Sequence, residues 1–182
     1  NWAVKAGGGI RIASSEVIID SVDLNNVYLN YASYGSDIEI AFSDTPSKIY
    51  LDTATVINPD DYYIGKFNDW AVLIERPPVS VLHGKIGQVN QDVFVSTLGD
   101  NDKSGLTPDD PLKTISFALL KIASDSVNVK TVHVADGIYS HQLTGEHTPL
   151  QLKNCVILAG KSIDNTIIDC EGKYEGARFA FG

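Results

Sequence analysis

GGGIRIASS (residues 7–15) and YGSDIEIAFSD (residues 34–44) decide the fold, because the second stretch restates the first. Ile10 and Ile12 recur as Ile38 and Ile40, 28 residues on. Further along, Ile19, Asp20, Val22 and Leu24 recur as Leu51, Asp52, Ala54 and Val56, 32 residues on. A period of about 30 residues made of short strands and turns is the length of one coil of a parallel β-solenoid. A single coil cannot bury its inner face, so coils stack. Strand side chains alternate, which points the isoleucines of GIRI and DIEI inward and Arg11 and Glu39 outward. Coils in register put Arg11 one strand spacing, about 4.8 Å, from Glu39. That is the geometry of an exposed ion pair contributing well under about 1 kcal/mol, not of a catalytic arginine.

The rest of the chain allows this reading. Its 182 residues are 43% apolar and 20% charged, enough for a sizeable core and against wholesale disorder. The net charge of −9, with no Lys/Arg cluster, argues against nucleic-acid binding. No apolar run approaches the roughly 20 residues that span a bilayer. A chain that starts at Asn1 and holds no methionine reads as a mature chain, an excised piece or a partial gene product. Cys155 and Cys170 are too few for a disulfide framework, and their β-branched neighbours favour packed, reduced thiols.

Short β-branched runs recur along the whole length, among them KIYLDTATV (48–56), DVFVS (92–96), KTVHVA (130–135) and NTIIDC (165–170). Residues 1–56 read as stacked β-solenoid coils. Residues 57–90 interrupt the repeat with Pro77-Pro78 and an aromatic group, and read as an irregular connector. In that group Tyr62, Tyr63 and Trp70 are glycan-stacking candidates, although such a cluster more often covers an open core. Residues 91–182 read as the start of a β-helix. A capping helix is expected over about 110–123, with Asp110 as N-cap, Pro111 at the first helical position, and Leu112, Ile115, Leu119 and Ile122 on one face. The helix would cover the core and free strand edge of the first coil.

The stretch from Val93 to Gly172 carries a resemblance. VFVSTLGDNDKSG, PLKTI, VHVADGIY, LAG and NTIID, in that order, resemble the opening of bacterial right-handed parallel β-helix proteins of the DUF1565-like type. The pattern is also similar to the start of some pectate-lyase-like β-helix enzymes and repeat-bearing secreted surface proteins. The resemblance implies an all-β, right-handed parallel β-helix (solenoid) with one capping α-helix, set extracellularly or at the cell surface. GGGIRIASSEVIIDSVDLNN, in residues 1–56, is similar to the late coils of such helices, and late-type coils followed by a β-helix start suggest a slice of a tandem array, or copies stacking end to end into a filament. Self-association through the β-helix ends is therefore the expected partnership, with polysaccharide as the other. The expected function is a non-catalytic structural or adhesive module. A calcium-dependent polysaccharide lyase or glycan binder is the alternative.

The chemistry for that alternative is thin. Asp100, Asp102, Ser104 and Gly105 match the opening of a D-x-D-x-S-G calcium loop, and Asp109 stands nearby. The twelfth position, however, is Pro111, where a bidentate Glu belongs. Without calcium the same residues build a turn, with side chains bonded to their own loop and Gly105 at positive φ. Lys153 and Lys161 are turn lysines, read as solvated rather than catalytic. His133, alternating with Val132 and Val134, is expected on the outer strand face. His141 and His147 flank Glu146 at a spacing looser than zinc sites use. No catalytic residue is assigned, and no cofactor beyond the calcium option.

Overall fold

The computed structural model describes residues 8–13, 22–32, 35–41, 48–59, 63–66, 77–148 and 150–172. The chain divides into two compact units, Asn1–Gly87 and Gln88–Gly182. In the first, β1 (Ile10–Ile12), β2 (Asn25–Val27), β3 (Ile38–Ile40), β4 (Ile49–Ala54), β5 (Ile64–Lys66) and β6 (Val79–Gly84) follow in order. They form two three-stranded sheets, β1-β3-β5 and β2-β4-β6, with every pairing parallel. Alternate strands lie in alternate sheets, which is the topology of a coil repeated. Ile10 pairs with Ile38 and Ile38 with Ile64, so like stacks on like up the inner face. Ile38, Ile40, Ile49, Leu51, Ala54 and Ile64 are buried. Each of the larger ones stabilises the fold by about 1.5–3 kcal/mol.

Three expectations for this unit need correction. The repeat of Ile10 and Ile12 holds, but the 32-residue offset does not. Ala54 pairs with Val27, not Val22, and a bulge between Asn25 and Asn26 shifts the register. The apolar face that β4 needs is supplied by Val27, whereas Val22 is exposed. Residues 57–90, expected as an irregular connector, contain β5 and β6, a further coil. Pro77 and Pro78 do not break it, because they precede β6, and the Pro78 carbonyl accepts from the Ile49 amide at 2.9 Å. Glu39 does pair with Arg11, Nε to Oε2 at 2.7 Å, but the Glu39 side chain is only 6% exposed. The Gly35 turn folds over it closely enough that a Cβ at Gly35 would meet Glu39 Cα at 2.9 Å.

The second unit contains β7 (Val93–Val95), α1 (Ile115–Lys121), β8 (Lys130–Val134), β9 (Gly137–Tyr139), α2 (His141–Thr144), β10 (Val156–Gly160) and β11 (Thr166–Ile168). Its parallel sheets run β10-β8-β7 and β11-β9. Val93, Val95, Val132, Val134 and Tyr139 meet Leu112, Ile115, Ala118, Leu119 and Ile122 in one buried cluster. The capping helix is thus present and packs as its periodicity requires. It is shorter than the expected 110–123, and Thr114 is its N-cap, accepting from the Phe117 amide at 3.3 Å. Asp110 is occupied elsewhere, as described below.

Candidate functional site

The loop from Gly99 to Leu112, which carries the aspartates, joins β7 to α1. It returns alongside β7 and occupies that strand's free edge. The Phe94 amide donates to Gly105 O (2.8 Å), the Leu112 amide to Phe94 O (2.9 Å) and the Ser96 amide to Leu112 O (2.9 Å). Without these bonds β7 would present a row of unpaired donors and acceptors. Asp110 clamps the loop, Oδ2 accepting from the Ser104 amide (2.9 Å) and hydroxyl (2.6 Å). Those bonds from Ser104 hold the Asp110 carboxyl below its ordinary range. Asp100 accepts from the Asp102 amide at 3.0 Å. Asn101 Oδ1 accepts from the amides of Lys113 and Thr114, anchoring the loop to the start of α1. Gly105 sits at φ +70, and a Cβ there would meet Leu112 Cγ at 2.6 Å.

The four residues marked for calcium, Asp100, Asp102, Ser104 and Asp109, therefore share one loop whose hydrogen bonds are made largely within itself. Among the described residues, no group of three or more His, Cys, Asp and Glu side chains is placed to hold a metal ion. Of the marked aromatics, Tyr63 is fully buried and cannot face a sugar ring. It belongs to the core beside β5, because its amide neighbourhood is built into the coil: Tyr63 O accepts from Asp37 and Ile38. Tyr62 and Trp70 lie outside the described residues.

The outer face of β7 and β8 gathers a different set. Phe94 and His133 pair across the strands and their rings stack, with centroids 4.9 Å apart at 17°. Asp92 Oδ2 lies 3.1 Å from His133 Nε2, and Oδ1 accepts from the Thr131 amide at 2.9 Å. The Thr131 amide first, and His133 second, hold the Asp92 carboxyl below its ordinary range. His133 is outward, as alternation requires, with its side chain 43% exposed. Asp92 carried no signal in the sequence, since its role depends on a residue 41 positions away.

The remaining polar residues chiefly tie coil to coil. Asp136 Oδ1 accepts from the hydroxyls of Ser162 (2.7 Å) and Thr166 (3.2 Å). Lys161 stands 3.9 Å from its Oδ2, exposed as expected. Lys153 is not solvated but buried, its Nζ donating to Ile122 O at 3.1 Å. Glu146 accepts from the amides of Ile115 (2.6 Å) and Ser116 (2.9 Å), and from the His147 backbone amide at 3.1 Å. This carboxylate is wholly buried. In the first unit Asp37 is also wholly buried, accepting from the Thr55 amide (3.0 Å), the Thr55 hydroxyl (2.9 Å) and Asn30 (3.2 Å). Burial pushes its carboxyl up, against the pull of those donors. Cys155 and Cys170 are free, but Cys155 is exposed rather than packed, at φ +59 in the turn before β10.

Parallel coils joined by side-chain rungs define a β-solenoid repeat protein, all-β apart from its corner and capping helices. Residues 97–172 match the family model of a protein of unknown function (DUF1565), and with the coil architecture this fits a DUF1565-like parallel β-helix repeat protein. Comparison with curated proteins and with solved structures returned no match. Among the described residues, no helix is long and apolar enough to cross a membrane.

Proposed function

We propose that the chain is a non-catalytic structural or adhesive β-helix module that associates end to end with further β-helix coils. The observation that carries this reading is an asymmetry within the second unit. At one end, the Gly99–Leu112 loop and α1 close both the β7 edge and the core. At the other, β10 and β11 are the outermost described strands. There Ile168, stacked on the buried Tyr139, is 37% exposed, and Leu158, stacked on the buried Val132, is only half-buried. A face of that kind suits another coil, and a second copy of the chain can supply one in a heterologous contact. A secreted or cell-surface setting, in a bacterium, accompanies this reading by resemblance, and cell fractionation tests it. Light scattering over a wide concentration range tests the association. Mass should rise with concentration, and Ile168→Lys should abolish the rise. A monomer at every concentration overturns self-assembly.

The stacked Phe94 and His133 rings beside Asp92 favour polysaccharide as a second reading. Half-exposed rings next to a carboxylate can pack against a sugar face and accept from its hydroxyls. Titration calorimetry against oligosaccharides, with Phe94→Ala as control, tests it, and heats unchanged by the substitution count against it.

A further inference from the structure

The second unit repeats one contact that neither its motif nor its core packing requires. A glutamate of one coil reaches back to the corner amides of the preceding coil. Glu146, after β9, accepts from Ile115 and Ser116, across separations of 31 and 30 residues. Glu171, after β11, accepts from the Gln142 amide at 2.6 Å, across 29 residues. The two acids stand 25 positions apart, at non-equivalent places in their coils, yet each accepts from an amide in the first turn of the helix of the coil before, α1 for Glu146 and α2 for Glu171. Glu171 is itself set by the coil: its amide donates to Asp169 Oδ1 at 2.7 Å, and its backbone is at φ +56. Bonds from amides to a carboxylate are stronger than neutral ones. The amides concerned are not bonded within their own short corner segment, so they depend on the later coil.

We infer that these glutamates are latches, each holding shut the corner of the coil before it, so that the unit opens in order from its β10–β11 end. The closed end, with α1 and the edge-covering loop, opens last. The inference concerns the order of opening and stands apart from the association proposed above.

Native-state hydrogen exchange on the full chain, resolved by residue, tests it with Glu171→Ala and Glu146→Gln. In Glu171→Ala, exchange at Gln142 should rise about tenfold or more, the effect of losing a charge-assisted bond. Ile115 and Ser116 should keep their wild-type rates. In Glu146→Gln both of those amides should rise together. An unchanged Gln142 in Glu171→Ala overturns the inference, and so does an equal rise at Gln142, Ile115 and Ser116, which would mean global destabilisation instead. Glu171 follows β11, the last described strand, so that variant decides the matter even if Glu146→Gln fails to fold.

Discussion

At the scale of single residues, the aspartate-rich loop shows how one pattern serves two chemistries. Alternating oxygens and a glycine at positive φ are what a calcium loop and an edge-covering turn both need. In this loop Asp110 serves the turn. Its carboxylate accepts from both the amide and the hydroxyl of Ser104. Gly105 is the position least tolerant of change. Gly105→Ala meets both an unfavourable φ and the wholly buried Leu112 side chain. It should lower stability by about 1–3 kcal/mol, seen as a reduced denaturant midpoint at unchanged slope. A midpoint equal to wild type would mean that the loop does not hold the β7 edge. The buried tyrosines make the opposite point, that an aromatic in a polar context need not be a binding residue. Tyr139, whose hydroxyl donates to Ala135 O at 2.9 Å, has its phenol pushed up to about 12 by burial.

At the scale of elements, α1 is held from two directions. Thr114 caps its start from within, and Glu146 accepts from its first two amides from the next coil. Its apolar face closes the core. Leu119, 3% exposed, packs with Ile115 and Ile122 against β7 and β8. Leu119→Ala should cost about 2–4 kcal/mol. Exchange should accelerate at Val93, Val95 and Val132 but not at Ile38 or Ile40 in the other unit. Acceleration in both units would show that the two do not open independently. The strands themselves are three to six residues long, and none is stable alone. Sheets arise only when coils stack, which is why β5, with three residues and no alternation, escaped notice in the sequence.

At the scale of the whole molecule, one buried carboxylate of the first unit and two carboxylates of the second should contribute to acid stability with opposite sign. Asp92 and Asp110, in the second unit, have carboxyls below the ordinary aspartate value of 3.8. Their stabilisation is complete above that value and is lost as pH falls through their lowered folded values. Asp37, in the first unit, is raised above 3.8, so its folded form takes up a proton first. Its contribution therefore grows as pH falls from that raised value toward 3.8, and is lost as pH rises through it. Thermal melts followed by NMR signals from each unit, between about pH 6 and pH 2, separate the two. Asp92→Asn and Asp110→Asn should flatten the acid limb of the second unit. Asp37→Asn should remove the opposing slope in the first. Unchanged slopes in all three would count against these carboxylates as the titrating groups.

The repeat of GIRI as DIEI was enough, by itself, to determine parallel coils and the Arg11–Glu39 pairing, because side-chain alternation and stacking like on like are local rules. The capping helix followed from its apolar spacing for the same reason. The offset of β2 against β4, the coil hidden in residues 57–90, the burial of Tyr63 and Lys153, and the tasks of Asp92 and Glu146 were decided by the tertiary structure alone. Each depends on which residue some 25 to 40 positions away is brought alongside. In a solenoid that is set by turn lengths and bulges, which leave no periodic trace in the chain.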